Sequence, residues 1–327
     1  MNALWRSACA HSVRLVLCLV AVSIGSVAQS EFSSVHVTPR ADISLASARN
    51  AIVRSDVDLV LVNVTVLDRA QRPVIGLRPE DFSLIEDRSQ QSIKYFSRED
   101  QPLALAIVLD CSASMAPRIE QARTAVQELA RLSNPLDEIS VIVVGDKPVL
   151  ALRSKDPIDT LLPRLQMLPP DGQTALWDSM FMAVEQLKNS HKPRRAMVVI
   201  SDGGDNHSVY TESELKSLLE EADVEVYAIG LFERFPRRNE ERRGPRDLEE
   251  LTSVSGGRLV AVHDYIELNR AVSQIDEELR TQYVLGYSSS NRAHDGRWRK
   301  LKVSVSRDQD RGKLRAFAKN GYYAATD

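Results

Sequence analysis

Asp110, Ser112 and Ser114 stand two residues apart in DCSAS, directly after the apolar run LALAIVL at 103–109. A carboxylate and two hydroxyls at that spacing put three hard oxygen donors into one short loop. Such donors suit Mg²⁺, Mn²⁺ or Ca²⁺ rather than a soft metal. Three donors leave the shell of such an ion incomplete, since it takes roughly six ligands or more. Two later stretches offer the remainder. Thr174 lies in DGQTAL (171–176), a turn ahead of a helical pattern, and Asp202 ends the apolar run of AMVVISDG (196–203). Together the three stretches supply two carboxylates and three hydroxyls, an all-oxygen set fit for a Mg²⁺ that keeps some of its water.

The elements around these stretches predict where the donors sit. From Pro102 onward short apolar runs alternate with helical periods. Strands are expected at LALAIVLD, ISVIVVGD, PVLALRS, AMVVISDG, VEVYAIGL and RLVAV, with a tight hairpin at Asp146-Lys147. Helices are expected at 118–132, 158–168, from DGQTALWDSM to about Lys188, and at 212–221, 246–254 and 266–279. This rhythm predicts an α/β fold: a doubly wound, mostly parallel sheet with helices on both faces. In such sheets ligands bind at the carboxyl ends of the strands, where Asp110 and Asp202 fall.

Both flanks read differently. Residues 56–99 form a small β unit, beginning with the alternating DVDLVLVNVTVLD and continuing through FSLIED and QSIKYFSR. Residues 281–327 carry strand-like TQYVLGYS, RKLKVSVSR and KLRAFAKNGYY, expected to pack with that unit. At the start, Arg6 and Arg14 precede the apolar run Leu15–Ala28, which ends in the small-x-small pattern Ser26-Val27-Ala28. We read residues 1–28 as a secretory signal peptide and 29–55 as a linker. The apolar run is shorter than the roughly 20 residues of a membrane span. Removal of the signal leaves Cys111 as the one cysteine of the mature chain, so no intramolecular disulfide forms. A net charge of −3 offers no basic excess for phosphate, which argues against a nucleic-acid partner.

DCSAS at 110–114, GQTAL at 172–176 and SDGGDN at 201–206 resemble, in order and setting, the metal-ion-dependent adhesion site (MIDAS) of von Willebrand factor A domains. The resemblance implies a Rossmann-like domain over 100–280. It implies that Ser112, Ser114 and Thr174 ligate a divalent ion, Mg²⁺ or else Mn²⁺ or Ca²⁺, with Asp110 and Asp202 completing the site. It further implies an open position on the ion that takes a carboxylate from a protein partner. The flanking GLRPEDFSLIED, TQYVLGYS, DGRWRKLKV and NGYY are similar to the bacterial secreted family often called the acidobacterial VWFA-related domain.

Blander roles compete at several positions. Asp and Ser at a strand–helix turn also cap helices. Asp178 reads as a cap or ion-pair residue, Asp205-Asn206 as a turn, and His263-Asp264 as a solvated loop. Trp177 and Trp298 read as packing residues. The mixed-charge run RFPRRNEERRGPR (234–246) reads as a solvated loop, or else as a variable insertion at the rim that adjusts partner choice or order. No G-x-S-x-G elbow, P-loop or HExxH occurs. The expectation is therefore an exported binding or adhesion module without turnover, periplasmic or secreted. Two alternatives stand beside it. One is a structural envelope protein with a vestigial metal site. The other is a Mg²⁺-dependent phosphohydrolase built on Asp110, which would lack the second carboxylate such enzymes place where Ser112 stands.

Overall fold

The structure is a computed structural model and describes residues 59–98, 100–232, 239–306 and 313–326. The expected signal peptide and linker lie outside the described residues. In chain order the elements are β1 (Val60–Leu67), β2 (Phe82–Glu86), β3 (Ser89–Gln91), β4 (Ile93–Ser97), β5 (Leu103–Asp110), α1 (Ile119–Leu132), β6 (Glu138–Val144) and β7 (Val149–Leu152). Then follow α2 (Leu161–Gln166), α3 (Leu176–Lys188), β8 (Arg194–Ser201), α4 (Glu212–Ala222), β9 (Glu225–Leu231), α5 (Asn239–Ser255) and β10 (Leu259–Val262). The last are α6 (Tyr265–Arg280), β11 (Tyr283–Tyr287), β12 (Trp298–Val305), β13 (Arg315–Phe317) and β14 (Gly321–Tyr323).

Six strands form the central sheet in the order β10-β9-β8-β5-β6-β7. All its pairings are parallel except β6 with β7. β5 is buried along its whole length because both faces of the sheet are covered. Its period-2 alternation divides the core. Leu103, Leu105, Ile107 and Leu109 face a cluster containing Ala122, Val126 and Leu129 of α1 and Leu268, Val272 and Ile275 of α6. Ala104, Ala106 and Val108 face Leu176, Met180 and Val184 of α3, Leu215 and Leu219 of α4, and Leu248 and Leu251 of α5. Each fully buried Leu or Ile side chain contributes roughly 1.5–3 kcal/mol. β5 therefore holds its carboxyl end, and Asp110 with it, in a rigid frame.

The flanking strands make two four-stranded sheets, β13-β1-β11-β4 and β14-β12-β2-β3. β1 pairs antiparallel with β11 from Val60↔Tyr287 to Val64↔Tyr283, and β2 pairs antiparallel with β12. Val62, Val64, Phe82, Leu84, Tyr283, Leu285 and Leu301 share one core between these sheets. Residues from both ends of the described chain thus build each of them.

Several elements differ from the sequence reading. The 158–168 helix is a single 3-10 turn, Ile158–Thr160, followed by the short α2. The 313–323 strand breaks into β13 and β14, because one half pairs with β1 and the other with β12. The hairpin at Asp146-Lys147 is a four-residue connection, Gly145–Pro148, between β6 and β7. The helix expected from Arg246 begins at Asn239, with Pro245 inside it. The solvated-loop reading of 239–246 is therefore replaced by helix, while 233–238 lie outside the described residues.

Candidate metal centre

The carboxyl ends of β5 and β8 lie side by side, since these strands pair in register from Leu103↔Arg194 to Leu109↔Ile200. Asp110 and Ser201 are the last residues of the two strands, and Asp202 follows at once. The intervening loops are tied to this edge through the backbone. Asp171 N–H donates to Cys111 O (3.0 Å), Ala113 N–H to Gly172 O (3.3 Å) and Ala175 N–H to Gly145 O (3.0 Å). These bonds carry the loop of Thr174 against the loop of Ser112 and Ser114. Asp146 fixes it further by accepting from Gln173 N–H at 2.6 Å. Gly172, at φ +77°, lies so close to Asp146 that a side chain there would meet its carboxylate at 2.5 Å.

Ser112, Ser114, Thr174 and Asp202 line one cleft, together with Gly172, Gly204, Asn206 and Glu241. Its free volume is about 20 Å³. Holding one water takes roughly 10–15 Å³, so the space suits a single ion-sized guest. The Ser112 and Ser114 hydroxyls are 3.1 Å apart. Asp110 stands behind the cleft and is fully buried. It accepts from Ser112 N–H at 2.9 Å and from the Ser201 hydroxyl at 2.6 Å. Ser201 in turn accepts from Gly203 N–H at 2.8 Å, so one hydroxyl links the two acidic strand ends.

Burial, joined by the nearby Asp202 carboxylate, raises the Asp110 carboxyl to about 6, against hydrogen bonds from Ser201 and Ser112 that favour its charged form. No basic side chain of the described residues is among the main influences on it. Two neighbouring carboxylates at a buried sheet edge, faced by hydroxyl oxygens, fit a divalent cation. Among the described residues no group of three or more His, Cys, Asp and Glu is placed to hold a metal. The fit therefore rests on hydroxyls as much as on carboxylates.

Two positioning residues were missed in the sequence reading. Asp205, read there as part of a turn, accepts from Leu176 N–H (2.9 Å) and Trp177 N–H (3.3 Å) at the start of α3, and from the Ser208 hydroxyl (2.6 Å). Asn206 accepts from Thr174 N–H at 2.9 Å, while Asn206 N–H and His207 N–H donate to Thr174 O. The loop after β8 thus sets the position of Thr174. The available signal was an Asp-Asn pair close behind a strand-end Asp, which a turn also explains. Asp178 accepts from Val209 N–H and Tyr210 N–H. The Cys111 thiol is buried and pushed up to about 12, mainly by desolvation.

Fold and cleft together define an α/β domain with an oxygen-lined site at the carboxyl edge of its sheet. Residues 105–204 match the model of the von Willebrand factor type A domain, so the chain carries a domain of that family. The matched stretch runs from β5 to the loop after β8 and contains Asp110, Ser112, Ser114, Thr174 and Asp202. Among solved structures, the chain is similar to an aerotolerance-related membrane protein from Bacteroides fragilis, at 21% identity over 54% of this chain and 98% of that one, TM-score 0.44. It is similar to a von Willebrand factor type A protein from Catenulispora acidiphila, at 11% identity over 83% and 74%, TM-score 0.46. It is also similar to proximal thread matrix protein 1 of the mussel byssus, solved with a zinc-occupied MIDAS motif, at 14% identity over 59% and 49%, TM-score 0.48. No protein of curated function matches the chain by sequence.

Proposed function

We propose that the chain is a metal-dependent binding module. Ser112, Ser114, Thr174 and Asp202 hold a divalent cation, Mg²⁺ or Mn²⁺ before Ca²⁺. Asp110 adds its charge from behind and orients Ser112 through the amide it accepts from. The observation that carries this reading is the convergence of three sequence-distant loops on one ion-sized cleft lined by oxygen donors. When bound, the ion supplies a Lewis-acidic position for an anionic oxygen, and a partner protein's carboxylate is the ligand suited to it. The chain's own residues hold, orient and screen. The buried β5 and β8 ends keep the donors rigid, and the loop after β8 fixes Thr174. No residue on this reading acts as nucleophile or general base, so no turnover is expected.

Calorimetry tests the reading. The purified protein should bind Mg²⁺ or Mn²⁺, and Asp202→Ala should weaken binding at least about tenfold, as expected when a charged ligand is lost. Unchanged binding in Asp202→Ala would count against it, and no binding by the wild type would favour a vestigial site.

We further propose export, with 1–28 removed as a signal and 29–55 left as a linker, on the character of the apolar run Leu15–Ala28. Among the described residues no helix is long and apolar enough to cross a membrane. Amino-terminal sequencing of the mature protein from periplasm or medium should begin near Gln29. The β segments 56–99 and 281–327 act on this reading as one unit carrying the 100–280 domain, a division supported by the β1–β11 and β2–β12 pairings. The flanking motifs support a place in the bacterial secreted VWFA-related family.

A further inference from the structure

Glu241 lines the same cleft as Ser112, Ser114, Thr174 and Asp202, and it comes from α5, on the far side of β9 in sequence. Helix and loop meet backbone to backbone. A Cβ at Gly244 would lie 2.5 Å from Asp202 O and 2.9 Å from Gly203 C, and one at Gly203 would lie 2.6 Å from Gly244 Cα. Glycine at both positions lets the first turns of α5 rest directly on the residue that follows Asp202.

Those turns continue into the rest of α5 with one backbone hydrogen bond missing at the join. Pro245 has no N–H, so the carbonyl four residues earlier, that of Glu241 itself, loses its helical donor. Residues 239–244 thus precede a Gly-Pro joint at which the helix is weakest and can bend as a lever. Beyond it the helix is anchored by buried Leu248 and Leu251.

We infer that Glu241 is the chain's own carboxylate for the metal centre: it occupies the position on the ion that a partner's carboxylate takes, and the lever 239–244 moves off at Gly244-Pro245 when a partner binds. The inference rests on the proposed metal site. It makes partner binding a competition between two carboxylates, one inside the chain, and sets a threshold that weak acidic ligands do not pass.

Mn²⁺ is the probe, followed by its affinity and by water-proton relaxation, which reads the exchangeable waters on the ion. Glu241→Gln should weaken Mn²⁺ binding about tenfold, as loss of one charged ligand does. It should also raise the relaxation per bound ion, because water enters the vacated position. Gly244→Ala keeps every donor but forces the lever away from Gly203, and it should give the same rise. Thr174→Ala should weaken Mn²⁺ binding whether or not Glu241 takes part. If Thr174→Ala weakens binding while Glu241→Gln and Gly244→Ala match the wild type in both readouts, the internal ligand is overturned and the metal site stands. If the wild type binds no Mn²⁺, both readings fall.

Discussion

Asp205 shows how much of the site is set by residues that need never touch an ion. Its carboxylate takes the first two amides of α3, and Thr174 lies just ahead of that helix start. Asp205→Ala should cost about 0.5–2 kcal/mol of stability, the usual loss of a helix N-cap. It should also lower metal affinity although every donor remains, which thermal unfolding and calorimetry on one sample would separate. The residues that line the cleft were legible in DCSAS, GQTAL and SDGGDN, because each oxygen-bearing stretch falls at a strand end or ahead of a helix on one edge of the expected sheet. Asp205 and Asn206 were not, because a turn and a cap draw on the same residue types and differ only in the amides they meet. Cys111 gives a second test. With its thiol 2% exposed and pushed up to about 12, alkylation at neutral pH should require unfolding. Its rate against denaturant should follow the global transition.

Among the elements, the helices at the rim carried the least sequence information. Proline and mixed charge made 234–246 read as loop, since a proline inside a helix removes a bond and clashes with the turn before it. The structure keeps helix across Pro245 at the point where Gly244 must sit close to Gly203. Pro245→Ala would return a donor to the Glu241 carbonyl. Hydrogen exchange should then show greater protection over Asn239–Gly244, with little change after Leu248. A different kind of joint anchors α6. Glu278 is fully buried and takes Arg258 Nε at 2.9 Å and Nη2 at 2.5 Å, fixing the approach to β10. Arg258→Ala leaves that carboxylate buried without its partner, at a cost of about 3–5 kcal/mol. Burial already holds the Glu278 carboxyl above its usual range. The native variant therefore binds a proton that the unfolded chain has lost, and stability falls as pH rises. Denaturant melts should show the variant's deficit smallest below Glu278's ordinary range and growing as pH climbs through the raised one.

At the scale of the molecule, the alternation after Pro102 predicts the central sheet because period 2 and period 3.6 are local signals. The pairing of β1 with β11 is not local. No sequence period says that Val60 faces Tyr287, only that both strands have an apolar side needing cover. A buried polar cluster joins the sheets where they meet. Gln282 donates to Glu225 (2.6 Å), Tyr227 (3.1 Å) and Thr65 (3.2 Å), and accepts from Arg194. Removing residues 282–327 would strip β1 and β2 of β11 and β12 and leave Glu225 buried or wetted without its amide. The shortened protein should melt earlier and bind a dye specific for exposed apolar surface, through Val62, Val64 and Leu84.

The same arrangement bears on how the protein carries tension. Leu59 directly precedes β1, and Thr326 closes a bridge to Asp295 ahead of β12. Every strand of the central sheet lies between the two flanking groups of strands in sequence. A pull applied at those two ends should first load the antiparallel flanking sheets, leaving the oxygen-lined cleft outside the line of force until they part. In a pulling experiment the flanking sheets should rupture before the cleft is disturbed. On the proposed function, a grip formed at the cleft would then outlast the first yielding of the protein that bears it.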